Sequence, residues 1–249
     1  MKVLEAIKIG SNLLKSNRID SHILDSELLL SKSLNKSREE ILINLDQRIN
    51  KKNFSVFKKY LRRRYNNEPV AYILEEKEFW SKKFYVTKDT LIPRPETELL
   101  VEGIIETFKN RKISILDIGT GTGCIILSLL SNLKNSYGIG VDISKNAILV
   151  SKKNALKHRL FDRVKFLNRS FDDLKYKKFD LIVSNPPYIK KNDIKNLSVD
   201  IKKFEPRMAL DGGNDGLDLL KKVIYKSKNI LKFKGMLALE IGNGQVGKV

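Results

Sequence analysis

Asn185-Pro186-Pro187-Tyr188, directly after the apolar run Leu181-Ile182-Val183, holds the residue types needed to handle a planar nitrogen. The nitrogen of an amide or an aromatic amine is a poor nucleophile because its lone pair is delocalised into the adjoining π system. The side-chain oxygen of Asn185 and the main-chain carbonyl of Pro186 are two acceptors. Together they can take both N–H protons of an NH₂ group and leave the lone pair facing an electrophile. Two consecutive prolines fix φ and remove two backbone donors, so the loop is stiff and its carbonyls are not consumed by a ladder. Tyr188 adds a flat face against which a planar group packs. Asn-Pro also marks ordinary turns, so the same four residues read equally well as a Pro-Pro turn leaving a buried strand.

A second segment favours the chemical reading. Ile113-Ser-Ile-Leu-Asp117-Ile118-Gly119-Thr120-Gly121-Thr122-Gly123 is an apolar run ending in a glycine loop, and the apolar stretch Ile125 to Leu130 follows it. This is the pattern of strand, tight turn and helix. Glycine is required where backbone approaches a ligand closely or adopts positive φ. The spacing Gly-x-Gly-x-Gly differs from the Gly-x-Gly-x-x-Gly of dinucleotide sites, so a pyrophosphate on the helix N-terminus is a poorer fit than a compact ligand with an adenosine and an amino-acid end. The next apolar strand, Tyr137 to Val141, ends in Asp142, about 20 residues beyond the loop, where an acid can accept both hydroxyls of a ribose. Taken alone, Asp142 is explained as a helix cap before Ser144. Glycine loop, spaced acid and Asn-Pro-Pro-Tyr in register favour a ligand site.

With these segments together the chain resembles the S-adenosylmethionine-dependent methyltransferases, and specifically the release-factor glutamine N5-methyltransferases. Beyond the glycine loop and Asn185 to Ile189, the resemblance covers Glu68-Pro-Val-Ala-Tyr-Ile73, Glu78-Phe-Trp80, Leu91-Ile-Pro-Arg-Pro-Glu-Thr-Glu98 and Phe204-Glu205-Pro206. Asn-Pro-Pro-Tyr occurs in several amino-group methyltransferases; the Leu91 to Glu98 segment is the more specific feature. The resemblance implies S-adenosyl-L-methionine as cofactor, S-adenosyl-L-homocysteine as product and no metal. It implies peptide chain release factors as protein substrate, methylated on the side-chain amide nitrogen of the glutamine in their Gly-Gly-Gln motif. Carried over by position, Gly119, Thr120, Gly121, Thr122, Gly123, Asp142, Phe171 and Asn185 are expected at the cofactor. Asn185, Pro186, Pro187 and Tyr188 are expected at the substrate, with Asn185, Pro186 and Tyr188 catalytic. The family likeness places Arg94 to Glu98 over the methionine end of the cofactor, where an Arg and two carboxylates can recognise the zwitterion or order the loop.

Two departures stand out. After the third strand the family carries Ser-Asp and an aromatic, whereas this chain reads Asn168-Arg169-Ser170-Phe171-Asp172. Phe171 keeps the aromatic position, Ser170 takes the acid's place, and whether Asp172 substitutes for that acid stays open. The family also continues through a helix and two further strands beyond the position of Val249, so the sheet is expected to be truncated, with an open apolar edge.

The expected fold is α/β, a Rossmann-like doubly wound sheet with a small N-terminal helical domain. From Ile113 onward strands alternate with helices, at Ile113–Ile118, Tyr137–Val141, Val164–Leu167, Phe179–Val183 and Gly235–Ile241, and every candidate residue of the ligand site falls at a strand end. Residues 1–75 read as helical, with Ser37-Arg-Glu-Glu40 opening the third helix as a capping box, and family likeness makes this the substrate-recognition domain. Residues 76–110 form a hairpin and linking segment, with a helix from Glu96, and residues 111–249 the methyltransferase domain. His22 and His158 are read as polar surface residues, and Trp80 as sealing a seam between domains.

The 249 residues include one cysteine, Cys124, which excludes an internal disulfide and fits a small packing residue beside the loop. No apolar run reaches the roughly 18 residues of a membrane span, and Met1 to Lys8 lacks a signal-peptide core. A cytoplasmic, monomeric protein is expected. The net charge of +19, from 36 Lys and 12 Arg scattered along the chain, reads first as a solvated face and second as steering toward acidic partners. A nucleic-acid substrate is disfavoured because no target-recognition region accompanies the motif. The alternatives are a ribosomal-protein glutamine methyltransferase, an adenine-N6 nucleic-acid methyltransferase and a non-catalytic RNA-binding protein.

Overall fold

A computed structural model describes residues 1–174 and 178–249, which fall into two compact units, Met1–Glu76 and Lys77–Val249. The first unit consists of α1 (Val3–Ser16), α2 (His22–Leu34), α3 (Arg38–Ile43), α4 (Lys51–Tyr65) and α5 (Val70–Leu74). Local chemistry sets the helix starts. Ser37 Oγ accepts from Glu40 N at 3.1 Å while Glu40 Oε2 accepts from Ser37 N at 2.6 Å, the reciprocal capping box expected of this segment. Asn50 caps α4 by accepting from Asn53 N at 2.7 Å. The apolar faces close over Val3, Leu14, Leu29, Leu30, Phe57 and Leu61. Arg64 answers the buried Asp25 carboxylate at 2.6 Å. His22 is partly buried, with Nδ1 2.8 Å from Ser11 Oγ.

The second unit opens with a hairpin of β1 (Glu76–Phe79) and β2 (Lys82–Tyr85). Trp80 and Ser81 form its two-residue turn at φ 52° and 54°, the positive values that a primed hairpin turn demands. Trp80 packs against the core of this unit, which includes Phe79, Phe84, Val101, Ile104 and Phe108. Then follow α6 (Thr97–Phe108), β3 (Ser114–Ile118), α7 (Cys124–Asn132), β4 (Tyr137–Asp142), α8 (Lys145–Lys157), β5 (Val164–Asn168), β6 (Phe179–Ser184), α9 (Val199–Phe204), α10 (Asp218–Ile230) and β7 (Leu231–Leu239). The strands form one parallel sheet in the order β5-β4-β3-β6-β7. All five residues of β3 are buried, as expected of a central strand covered on both faces. The order reverses between β3 and β6, and in an open α/β sheet that switch point is where a crevice forms outside the strand ends.

Two sequence expectations need correcting. β7 begins at Leu231, four residues before the expected Gly235, because the ladder is bulged: Phe179 pairs with Leu231 and Leu181 with Met236, so Lys232 to Gly235 bow out opposite Asp180. The bulge turns Phe233 out into solvent, 93% exposed, and Lys232 Nζ reaches Asp180 at 2.8 Å. His158 is no plain surface residue either. It caps the C-terminus of α8 with its ring centroid 4.7 Å from that of Phe84, its Nε2 is buried without a partner, and burial lowers its pKa. Among the described residues no helix is long and apolar enough to cross a membrane.

Candidate active site

At the mouth of β3 the chain turns through Gly119, Gly121 and Gly123 at φ 71°, 53° and 78°, a region closed to most side chains. Gly119 N and Thr120 N both donate to the Val141 carbonyl, at 2.9 and 3.0 Å, which ties the loop to the end of β4. Asp142 completes the tie. Its Oδ2 accepts from Gly121 N at 3.0 Å and its Oδ1 from Ser144 N at 2.9 Å. The cap of α8 is Ser144, which accepts from Ala147 N, and Asp142 links that cap residue to the glycine loop. Burial raises the Asp142 carboxyl pKa above its ordinary value. A Cβ built on Gly119 meets no atom within 4 Å, and one on Gly121 meets only Gly119 O at 3.9 Å. The bare backbone of the loop therefore borders open space, as a ligand cradle must.

Beneath the loop lies a residue that motif reading passed over. Asp117 is 1% exposed; its Oδ2 accepts from Thr120 Oγ1 at 2.7 Å and its Oδ1 has no partner. Burial pushes its carboxyl up to about 7. The available signal was a lone acid in an otherwise apolar strand immediately before the glycines. The Cys124 thiol is pushed up to about 12 by burial, which leaves a packing residue and no nucleophile.

Across the switch point, Ser184 Oγ donates to the Ile118 carbonyl at 2.7 Å and draws the ends of β6 and β3 together. Asn185 follows. Its Nδ2 donates to Thr97 Oγ1 at 3.2 Å, Thr97 Oγ1 donates to Glu240 Oε2 at 2.6 Å, and the Tyr188 hydroxyl donates to Glu240 Oε1 at 3.3 Å. Burial first, and the charge of Glu240 second, raise the Tyr188 pKa and keep its proton in place.

Two cavities meet at this loop. The larger, about 300 Å³, is walled by Gly119 to Thr122, Asp142, Phe171, Asn185, Pro186 and Pro187. The smaller, about 190 Å³, is walled by Pro186, Pro187, Tyr188, Ile201 and Leu210 among others. Asn185 and Pro186 line both. Of the residues singled out in the sequence, Tyr188 belongs to the smaller cavity only. Gly123 lies inside the turn, where a Cβ would come within 3.2 Å of Leu127 and Phe166. Ser170 and Asp172 flank Phe171 on the larger cavity, with Ser170 Oγ accepting from Asp172 N at 3.2 Å.

In the Arg94–Glu98 segment, Arg94 lines both cavities, and the segment is also held by its own hydrogen bonds. Arg94 pairs with the buried Glu205 at 2.6 Å, Glu205 also accepts from Ile92 N at 3.3 Å, and Glu98 accepts from Trp80 N at 2.8 Å.

A parallel sheet with a glycine loop after its first strand and an acid after its second defines the class: residues 109–243 match the family described as Methyltransferase domain. Residues 5–74 match the PrmC N-terminal domain. The chain is 38% identical over 253 residues to the release factor glutamine methyltransferase of Clostridium acetobutylicum, covering all of this chain and 89% of that one. The chain belongs to the release factor glutamine methyltransferase family. It is also 37% identical over 262 residues to a bifunctional methyltransferase of Rickettsia typhi, with 97% of this chain covered and 49% of the relative, so it spans about half the length of that relative. Among solved structures, the hMettl16 catalytic domain in complex with the MAT2A 3′UTR hairpin 6 shares the fold, with a TM-score of 0.52 at 18% identity over 65% of this chain and 62% of that one.

Proposed function

We propose that the protein transfers a methyl group from S-adenosyl-L-methionine to the side-chain amide nitrogen of the glutamine in the Gly-Gly-Gln motif of peptide chain release factors. One observation carries the reading: Asn185 and Pro186 form a wall shared by two cavities, so a nitrogen held there from the smaller one faces the larger one. The larger cavity suits the cofactor because it joins an unobstructed glycine loop to the Asp142 carboxylate. Gly119 to Thr122, Asp142, Phe171 and Asn185 would hold the cofactor, with Gly123 fixing the turn. When bound, the cofactor supplies an electrophilic methyl group and departs as S-adenosyl-L-homocysteine.

The protein's part is to localise a lone pair and to position it. Asn185 Oδ1 and the Pro186 carbonyl accept the two amide protons, Pro187 and Tyr188 pack on the flat amide, and the surplus proton passes to water after attack. Catalysis on this reading is mainly orientation, which is worth up to about 7–11 kcal/mol in favourable cases, and it calls for no metal ion. The N-terminal helical unit would hold the release factor, in the cytoplasm where translation terminates.

The test is incubation with S-adenosyl-L-methionine and unmethylated release factor, followed by peptide mass spectrometry. Methyl on the Gly-Gly-Gln glutamine is expected. Asn185→Ala should lose turnover by a factor of about 100 or more while cofactor affinity falls only modestly. Methyl elsewhere, or near-normal rates in Asn185→Ala, would overturn the assignment.

A further inference from the structure

We propose that Thr97 and Glu240 are positioning residues that decide which way round the Asn185 amide faces; the inference rests on the functional reading above. An Asn amide has an oxygen and an NH₂ of nearly equal size, and only one of its two orientations presents an acceptor to the substrate. The acceptor role of Asn185 therefore needs something to select the orientation.

The hydrogen-bond directions supply it. A threonine hydroxyl has one proton to give. At 2.6 Å, Glu240 Oε2 is the short, charge-assisted partner and takes that proton. What remains on Thr97 Oγ1 is lone-pair density, and at 3.2 Å only the NH₂ end of Asn185 can meet it. Nδ2 is thereby turned toward Thr97 and Oδ1 away from it. Thr97 is 2% exposed, so water does not compete for the bond.

The second oxygen of Glu240 is occupied as well, accepting from the Tyr188 hydroxyl, so this carboxylate accepts at both ends. Glu240 N donates to the Ser184 carbonyl at 3.0 Å, which seats the carboxylate opposite the start of the Asn-Pro-Pro-Tyr loop. Both ends of the four-residue motif are thus tied to one carboxylate supplied by the segment after β7, Tyr188 directly and Asn185 through Thr97. Without it, the Asn185 amide would divide between two orientations, one of which sets a donor against the substrate's own N–H groups.

Thr97→Val keeps the side-chain shape and deletes the hydroxyl; Thr97→Ser keeps the hydroxyl. In wild-type protein and both variants we would measure methylation of unmethylated release factor, KM for that substrate, and S-adenosyl-L-methionine affinity by calorimetry. Thr97→Val is expected to lower kcat by on the order of 10- to 100-fold, with KM and cofactor affinity within about threefold of wild type. Thr97→Ser is expected to recover most of the loss. Full activity in Thr97→Val overturns the assignment alone. So does equal loss in both variants, or loss of cofactor binding together with turnover, since either makes Thr97 a structural residue. Wild-type protein that leaves the glutamine unmethylated overturns the functional reading, and this assignment with it.

Discussion

Asp117 concentrates the energetics of the site in one carboxyl. It is buried beneath the glycine loop, one oxygen bound to Thr120 and the other unpartnered, and its pKa is pushed up to about 7 from the ordinary carboxylate value of 3.8. Folding therefore favours the protonated form. The stabilisation this gives is fully present below about pH 4 and is lost as pH rises from there through about 7, because across that interval the unfolded chain ionises while the folded one keeps its proton. Asp117→Asn removes the titration and keeps the shape. Wild-type protein should lose more unfolding free energy between pH 5 and pH 8 than Asp117→Asn loses, a gap measurable by urea denaturation at the two values. Equal losses would remove the titration of Asp117 from the account. Motifs cannot reveal this residue's state, because an acid in a strand is recognised as buried only once both sheet faces are known to be covered.

At the scale of elements, the glycine loop, Asp142 and the Asn-Pro-Pro-Tyr strand end were legible because each is a contiguous signature at the end of an apolar run, where period and breaker residues coincide. The bonds that orient them were not. Thr97 and Glu240 lie 143 residues apart, and Asn185 and Thr97 lie 88 apart, so no spacing rule joins them. β7 was misplaced at its start for a related reason, since a bulge that pairs Leu231 and Met236 with Phe179 and Leu181 leaves no periodic trace. β4 shows what the alternating glycines Gly138 and Gly140 are for. A Cβ on Gly138 would sit 2.6 Å from Ile126 of α7, and one on Gly140 would sit 2.6 Å from Phe166 and 2.8 Å from Thr120 Oγ1. Gly140→Ala should cost about 1–3 kcal/mol through overpacking. It should also weaken cofactor affinity, because the hydroxyl it displaces is the one bonded to Asp117. Urea unfolding and calorimetric titration read the two effects separately, and a variant as stable as wild type would show that Phe166 and Thr120 have room to shift.

For the whole molecule, the dominant fact is a formal charge of +19, set by 48 basic and 29 acidic side chains. Local pairing absorbs little of it. The pairs drawn out of solvent, Arg64 with Asp25 and Arg94 with Glu205, are exceptions, while Lys2 with Asp46 and Lys221 with Asp215 lie on the surface, where solvent screening leaves an ion pair little to contribute. An excess of one sign spread over the chain opposes compactness by self-repulsion. Such repulsion acts over distances that salt shortens, from about 30 Å at 0.01 M ionic strength to about 8 Å at 0.15 M. Raising NaCl across that interval should therefore raise the melting temperature by a few degrees, roughly 2–4 °C for each kcal/mol relieved in a chain of this size. Scanning calorimetry at fixed pH measures it, with an uncharged osmolyte of matched osmolality as control. A fall in melting temperature would mean that attractive pairs outweigh the net repulsion, and the lysines would then have to be arranged against acidic neighbours rather than against one another. A rise matches a surface whose lysines are mainly solvated and leaves their field free to act on an approaching acidic partner, an effect that the same salt interval would weaken in the association rate.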